Sequence, residues 1–455
     1  MAEREFDVVV VGGGPAGEVC AGRLADGGLD VALVERHLIG GECSYYACMP
    51  SKALLRPGEL LAEVRRVPGV AASDDLDAGV VLARRDEVIH DLDDSSQLPW
   101  LEDKGISLVR SEATLDGARR VTAGDDVLVV RKAVVISTGT TAAVPPIDGL
   151  REAEPWTNRQ ATTAKEVPDS LVVLGGGPVG VELAQAWSML GSAVSLVEAA
   201  DRVLPAEEPF ASEQVADGLH DAGVAIHAGT KASSVRAEDG GVTVELEEGG
   251  PLSAAEVLVA IGRRPQTEGL GLESAGIEPD ERGFLATDDR LRVGGSDWLY
   301  AIGDVNGRAL LTHMGKYQAR AAADAILGRD AEATSEAKGP PRVVFTEPQV
   351  AAVGLTLEKA QDEGIDARAV DVPTNATAGA SFTAKDAEGT TRLVVDEGRR
   401  VLVGATFVGP EVADFLHAAT IDVVGEVPLD RLWHAVPSFP TRSEVWLQLL
   451  EEYGL

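Results

Sequence analysis

The feature that most constrains this chain is a local pattern that occurs twice. Phe6-Asp7-Val8-Val9-Val10-Val11 is a short apolar run, as in a strand buried on both faces, and it ends in Gly12-Gly13-Gly14-Pro15-Ala16-Gly17. An Ala/Leu-rich helical stretch to about Asp26 follows, then a strand from Leu29 to Val34 that closes with Glu35. The same order returns 163 residues later. Leu171 to Leu174 leads into Gly175-Gly176-Gly177-Pro178-Val179-Gly180, a helix to about Leu190, a strand from Ala193 to Val197, and Glu198. In each copy the acid stands 23 positions after the first glycine. The offset is far too long for a solenoid repeat, so the chain carries a duplicated βαβ unit.

Glycines at this spacing between strand and helix have a mechanical purpose. The first makes the tight turn, the second lets backbone approach a pyrophosphate, and the third lets helix and strand pack closely. The helix N-terminus adds amide donors and partial positive charge, and the acid closing the next strand accepts from ribose hydroxyls. A Gly-rich turn alone would account for one match. Two matches in the same context predict two bound dinucleotides, hence hydride traffic between a flavin and a nicotinamide. Glu198 accepts from a 2′-hydroxyl and repels a 2′-phosphate, and Ala199-Ala200-Asp201 follow where an NADP site would place arginines. Arg202 is the one residue that tempers the choice of NADH over NADPH.

Between the copies, an acidic stretch from Arg84 to Asp103 reads as helical, and Ala133 to Ile136 as a strand entering Ser137-Thr138-Gly139. Pro145-Pro146 and Gly339-Pro340-Pro341 punctuate the chain. Strand-like runs recur at Val257 to Ile261, before Gly262, and at Trp298 to Ile302, before Gly303-Asp304. Beyond residue 341, runs such as Arg392 to Val395 and Val401 to Val408 indicate an α+β terminal domain. The 455 residues carry a net charge of −34, which repels phosphate backbones and anionic lipid, so no nucleic-acid or membrane partner is expected. No run is long enough for a membrane span, and the acidic start of the chain does not read as a secretory signal, so a cytoplasmic location is expected.

Three cysteines are too few for a disulfide framework, but Cys43 and Cys48 stand five positions apart. In a regular helix such residues have Cα atoms ~8–9 Å apart. A disulfide needs less than ~7 Å. A bridge therefore requires irregular backbone, with regular helix starting near Cys48 to Pro50, where proline suits a first turn. Thiols at a helix N-terminus ionise more readily. Two inert buried cysteines are the plain alternative. Cys20, on the first helix, reads as a small buried apolar residue.

Taken together, the two glycine fingerprints, Cys43-x4-Cys48-x-Pro50-Ser51-Lys52, Ser137-Thr138-Gly139, Ile261-Gly262-Arg263-Arg264-Pro265, Gly303-Asp304 and Phe345-Thr346-Glu347-Pro348 resemble the class I pyridine nucleotide-disulfide oxidoreductases. That family includes dihydrolipoamide dehydrogenase, glutathione reductase and mercuric reductase. The resemblance covers nearly the whole chain. It implies an α/β fold with two Rossmann-like domains, for FAD (1–150) and NAD(P) (151–270). A segment (271–338) would return to the FAD domain, and an α+β interface domain (339–455) would make a homodimer.

It also implies roles. Cys48 would face the flavin and form the charge-transfer complex, with Cys43 as the outer, interchange thiol. Lys52 would lie near the flavin and pair with Glu182; Asp304 would hold the ribityl chain, Thr312 would lie near the ring, and Glu35 would bind the adenosine ribose. The rest of the implied FAD set is Gly12, Gly14, Pro15, Ala16, Gly17, Arg36, Gly41, Glu42, Ala113, Thr138, Gly139 and Gly303. The implied nicotinamide set is Gly175, Gly177, Val179, Gly180, Glu198 and Gly262.

The pattern breaks at one place that matters. The family's interface motif is His-Pro-x-x-x-Glu, in which the histidine is the acid–base and the glutamate orients it. Here the matching stretch is Phe439-Pro440-Thr441-Arg442-Ser443-Glu444, so Glu444 is left with no imidazole to orient. His434, five residues earlier, reads as a polar residue near the interface. Glu42 replaces a usual threonine beside the FAD phosphates, where its charge is expected to be awkward, and Tyr45 and Tyr46 are expected to narrow access between the cysteines. The tail carries no second cysteine pair, which argues against a mercuric reductase or a large thioredoxin reductase. Three readings of the small-molecule acceptor stay open: a disulfide handled without the histidine, a diaphorase-like reduction of quinones or metal ions, or a non-enzymatic redox sensor.

Overall fold

The computed structural model describes residues 2–71, 76–238, 240–385 and 387–455. The chain forms two compact units, each assembled from three segments. The first comprises Met1–Pro50, Asp86–Ala143 and Arg263–Glu336, and the second comprises Ser51–Arg85, Val144–Gly262 and Ala337–Leu455.

The first unit is organised by strand Ala2–Val11. It pairs in parallel with Val31–Val34 on one side and with Asp126–Ile136 on the other. Ser107–Val109 extends the first edge in parallel, and Leu299–Ala301 runs parallel to the end of Asp126–Ile136. Both faces of the central strand are covered, which is why its sequence is continuously apolar rather than alternating. Val8, Val10, Val31, Leu33 and Val135 pack against residues of helices Pro15–Asp26 and Thr312–Ile326, including Cys20, Leu24, Ala319 and Ala322. Val9, Val11, Ala32, Val34 and Ile136 pack against Leu270, Leu285 and Val293 on the other side. Each fully buried valine contributes about 1.5–3 kcal/mol relative to exposure. The first glycine fingerprint leaves the carboxyl end of the central strand, the place where open parallel sheets bind ligands.

The second unit repeats the plan. Ala225–Ala228, Ala193–Glu198, Ser170–Leu174 and Glu256–Val259 form a four-stranded parallel sheet in that order. It also carries a small antiparallel sheet of Ala232–Glu238, Gly241–Leu246 and Leu252–Ala254. A five-stranded antiparallel sheet between Arg342 and Gly409 lies under helices Leu416–Gly425 and Val445–Tyr453.

Two expectations are corrected. The first strand begins at Ala2, not Phe6, because Glu3, Arg4 and Glu5 continue the pairing with Val127, Leu128 and Val129 although their side chains are polar. The stretch from Arg84 to Asp103 is not one helix. Helix Ala78–Val88 ends, His90, Asp91 and Leu92 take positive φ angles of 51°, 49° and 61°, and a short helix, Leu98–Asp103, restarts with Pro99 in its first turn.

Candidate active site

The two fingerprints are built alike to within tenths of an ångström. Gly12 has φ +105° and a Cβ there would lie 2.3 Å from the Ser137 carbonyl oxygen; Gly175 has φ +110° and would meet the Ala260 carbonyl at 2.6 Å. A Cβ on Gly17 would sit 1.9 Å from the Gly12 carbonyl, and one on Gly180 would sit 1.8 Å from the Gly175 carbonyl. Pro15 and Ala16, and Pro178 and Val179, open the two helices. Glu35 accepts from the Gly13 amide at 2.7 Å and the His37 amide at 2.6 Å. Glu198 accepts from Gly176 at 2.5 Å and Ala200 at 2.7 Å. Each acid thus clamps its own glycine loop.

In the first unit further segments converge on the fingerprint. Gly41 (φ +59°) packs so tightly that a Cβ would stand 2.8 Å from Gly14 Cα. The Thr140 hydroxyl donates to Asp304 Oδ2 at 2.8 Å and accepts from Arg263 Nε at 2.6 Å. Arg263 also reaches the Thr140 carbonyl at 2.9 Å and Glu42 Oε2 at 3.4 Å. The expected awkwardness of Glu42 is therefore corrected: a guanidinium 221 residues along the chain balances it. Burial raises the Asp304 carboxyl above its usual range, opposed by the Thr140 hydrogen bond and the Arg263 charge. Thr138 and Gln266 exchange bonds, Oγ1 to carbonyl at 2.7 Å and Nε2 to carbonyl at 2.8 Å. Arg36 reaches Gln266 Oε1 at 2.5 Å and Glu112 at 3.2 Å. Gly139 (φ +69°) accepts the Gln266 amide through its carbonyl at 2.9 Å. The Gly303 amide donates to buried Gln318 at 2.7 Å. Ala113 sits next to Glu112 at the start of an edge strand. Gln266 and Gln318 escaped the sequence reading, although Gln266 directly follows the Arg263-Arg264-Pro265 motif.

The cysteines lie where the backbone changes course. Helix Gly41–Tyr45 stops at Tyr46, which has φ −133°, and a new helix starts at Cys48 with Pro50 in its first turn. This is the irregular backbone that a Cys43–Cys48 bridge requires. Both cysteines are present as thiols. Cys48 Sγ lies 3.5 Å from Thr312 Oγ1, at the start of helix Thr312–Ile326. The Cys43 thiol is pushed up first by its hydrogen bond to Cys48 and then by burial, while Thr312 and the charge of Lys316 pull it down. Glu18, missed in the sequence, is pushed up to about 7 by burial, with Lys316 opposing and Glu35 adding. Tyr45 is only 2% exposed, so its ring packs inward and does not line an approach, contrary to expectation. Burial raises its phenol to about 12.

In the second unit, Lys52 Nζ and Glu182 Oε2 meet at 2.6 Å. Glu182 is buried, accepts from the Phe345 amide at 2.9 Å, and Lys52 stands 4.7 Å from the centre of the Phe345 ring. Gly262 has φ +133°. Phe439 is 79% exposed, beside Val436 at 82%. Glu444 is not idle. It closes a capping box on Thr441, accepting that residue's amide at 2.7 Å, and accepts from Ala378 at 3.4 Å.

Residues 6–324 match the family model "Pyridine nucleotide-disulphide oxidoreductase", and residues 340–450 match that family's dimerisation domain. The chain belongs to this family. A dihydrolipoyl dehydrogenase of Chlorobaculum tepidum is 35% identical over 97% of this chain and 95% of its own length. A mercuric reductase of Staphylococcus aureus is 30% identical over 97% of this chain and 81% of its own. Among solved structures, a Cu(II) complex of the HOCl-induced flavoprotein disulfide reductase RclA from Escherichia coli aligns with a TM-score of 0.86 and 27% identity, over 97% of this chain and 98% of that one.

As a member of the pyridine nucleotide-disulphide oxidoreductases, the chain is an FAD-dependent enzyme using NAD(P)H. Its residues fit both groups. At Gly14 and Gly177 the backbone is extended (φ −73° in both) and a Cβ would meet nothing within 4 Å. Neither strain nor packing inside the protein demands glycine there, which leaves close approach by a ligand as the reason. Each open position adjoins amides at a helix N-terminus, as a pyrophosphate requires. Buried Asp304 in the first unit would offer a carboxylate to a hydroxyl of the bound group. Among the described residues no helix is long and apolar enough to cross a membrane.

Proposed function

We propose that the enzyme takes hydride from NADH, passes two electrons through FAD to the Cys43–Cys48 pair, and delivers them to an acceptor that needs no interface histidine. The observation that carries this is the placement of the dithiol: the backbone breaks between Cys43 and Cys48, Cys48 Sγ stands 3.5 Å from Thr312 Oγ1 at the start of a helix, and Cys48 lies close enough to push the Cys43 thiol up. Bound FAD supplies the two-electron relay between nicotinamide and sulfur.

The residues of the chain have the following parts in this reading. Gly12, Gly14, Gly17 and Glu35 hold the FAD pyrophosphate and ribose end, and Asp304, Thr138 and Gly139 the remainder. Gly175, Gly177, Gly180 and Glu198 hold NADH. Arg202 does not oppose that choice, because its guanidinium is spent on the Pro205 and Glu207 carbonyls at 3.1 Å each. Lys52 is held in place by its ion pair with Glu182, which fixes the direction of its ammonium N–H donors. With a disulfide acceptor, the Cys43 thiolate attacks one substrate sulfur. The Cys43–substrate bond forms, the substrate S–S bond breaks, and the far sulfur leaves with the electron pair. Cys48 thiolate then attacks Cys43, restoring the internal disulfide and expelling the second thiolate. Two electrons enter and two leave. The unit carrying residues 340–450 joins two copies, with Val436 and Phe439 on the surface available for it.

Anaerobic titration of the yellow holoenzyme with NADH tests the pathway. It is expected to give a long-wavelength absorption band that C48S abolishes. A screen of disulfides, quinones and cupric ion then identifies the acceptor; the cupric ion is included because the Escherichia coli relative was solved with it. Oxidised protein in which thiol counting finds both cysteines free would overturn the redox role. Because Phe439 offers no proton, reduction of quinones or metal ions is the second reading, and it is distinguished by turnover that survives C43S.

A further inference from the structure

Cations are scarce on this chain, so where they gather is informative. Helix Thr312–Ile326 begins at the dithiol, with Thr312 Oγ1 3.5 Å from Cys48. Residues four apart share a helix face. Lys316 and Arg320 therefore follow Thr312 on one line, each a turn further from the sulfurs. Neither makes a hydrogen bond or ion pair among the described residues, whereas most arginines of this acidic protein are paired. Lys316 nevertheless exerts its charge on Cys43 and on Glu18.

Arg320 lines a cavity of about 410 Å³ together with Arg23, Lys104, Arg329, Asp26 and the ring of Trp100. Two carboxylates answer these four cations. Lys104 holds Asp26 at 2.5 Å, and Asp324 is shared by Arg23 at 2.5 Å and Arg329 at 2.6 Å. The cavity therefore keeps an excess of two positive charges in a chain of net −34. A cationic line thus joins an aromatic-walled cationic cavity to the outer thiol.

We propose that Lys316 and Arg320 steer an anionic acceptor, a planar molecule carrying a carboxylate, sulfonate or phosphate beside its reducible sulfur, onto Cys43. This rests on the disulfide reading above and names its substrate class. It also fits the missing histidine. A disulfide whose thiol is already acidic leaves as a stable thiolate and needs no proton. The electron balance is the one given above: Cys43 forms the mixed disulfide, the first acidic thiolate departs with its electron pair, and Cys48 releases the second.

The test uses pairs of probes alike in chemistry and different in charge. Holoenzyme is reduced with a phosphine, desalted, and alkylated with iodoacetate or iodoacetamide, and the rate at Cys43 is read by mass spectrometry. Any change in thiolate fraction affects both reagents equally, so the ratio of the two rates isolates the charge on the probe. K316M is expected to lower the iodoacetate-to-iodoacetamide ratio about 5- to 10-fold, the scale of one partly screened unit charge. K316R should retain the ratio, and added salt should lower it in the native enzyme but hardly in K316M/R320M. A ratio in K316M and in K316M/R320M equal to that of the native enzyme overturns the proposal.

Steady-state turnover of 5,5′-dithiobis(2-nitrobenzoate) is then compared with that of uncharged 4,4′-dithiodipyridine. The same variants should lose kcat/KM for the anionic disulfide preferentially. An enzyme that keeps the alkylation preference but reduces neither disulfide overturns the disulfide reading and leaves the cationic line standing. One that reduces both alike, with K316M indistinguishable from native, overturns the line alone.

Discussion

Replacing Phe439 with histidine asks whether the enzyme's acceptor range is set by one missing proton donor. A positioned acid–base accelerates its step by about 10²–10⁴, or ~3–5 kcal/mol. How much of that a new imidazole could recover depends on Glu444. Its carboxylate already accepts from Thr441 at 2.7 Å and from Ala378 at 3.4 Å. An ionised carboxylate has about four acceptor sites. Two are therefore left, and a ring N–H can be bound without opening the capping box. Position 439 is solvent-exposed in the single chain, so no residue of its own copy must repack around an imidazole there, and the hold on the ring has to come from Glu444 and the second copy. We expect F439H to raise turnover of lipoamide and glutathione disulfide about 10- to 100-fold, below the full value for a mature site. Reduction of an artificial dye should change by less than about twofold, since dye reduction at the flavin needs no such proton. E444Q provides the check. Glutamine can still close the capping box, but it lacks the charge that supports an imidazolium, so F439H/E444Q should lose most of the gain while keeping the native melting temperature. If the native enzyme already turns over either disulfide at ~10–10³ per second, as good enzymes do, the reasoning from Phe439 is refuted and His434 becomes the first suspect.

Three further outcomes are expected. Stopped-flow flavin reduction should be faster and tighter with NADH than with NADPH, and R202A should leave that preference intact, because Arg202 is already committed to two carbonyls; a strong shift in R202A would show that it does contact the nucleotide. G177A should change the melting free energy of the protein without nucleotide by less than about 1 kcal/mol, since the new methyl meets no atom of the chain. The same variant should weaken NADH binding at least about tenfold by calorimetry, and an undiminished affinity would contradict the close-approach argument. Asp422, 2% exposed with neither carboxyl oxygen hydrogen-bonded, is raised by burial from 3.8 to about 7. Its folded pKa exceeds its unfolded one, so its contribution is present below pH ~4 and is lost as pH rises through ~7, by up to about 4 kcal/mol. D422N should therefore stabilise the protein in thermal melts at pH 8 and make little difference at pH 4; equal melting of the two at pH 8 would mean that the carboxylate finds a partner.

What could be read from the sequence was whatever depends on backbone geometry over a few residues. Gly12, Gly17, Gly175 and Gly180 are required by clashes with carbonyls of their own loops or of the adjoining strand ends, so their spacing is the fold. The break between Cys43 and Cys48 followed from the reach of a disulfide. The pairing of Lys52 with Glu182 was legible only through resemblance, because 130 residues separate them. What stayed hidden was set by distant partners or by packing direction. Glu42 reads as a misplaced charge until Arg263 is seen beside it. Tyr45 and Tyr46 are adjacent in sequence, yet only Tyr45 turns into the core. Glu444 reads as an orphan until its capping box is seen, because the same three-residue spacing from Thr441 serves both purposes.

The duplicated units also show how one pattern serves two kinds of ligand. Their glycine loops and clamping acids match closely, so the difference must come from what surrounds them. In the first unit Gly41 closes on Gly14 from a separate segment, and Arg263, Thr140 and Asp304 form a hydrogen-bonded relay from three further stretches of chain. Within the second unit, among the described residues, no glycine of a separate segment packs against Gly177 as Gly41 does against Gly14, Val179 is exposed, and a side chain added at Gly262 would meet open space. Enclosure by several segments slows release, since each must move before the ligand can leave, while an open loop lets a ligand exchange in every turnover. The first arrangement suits a resident FAD and the second a nicotinamide nucleotide that arrives and departs. The sequence gives both sites the same motif; the segments that return to the first from residues 41, 140, 263 and 304 are what make them unequal.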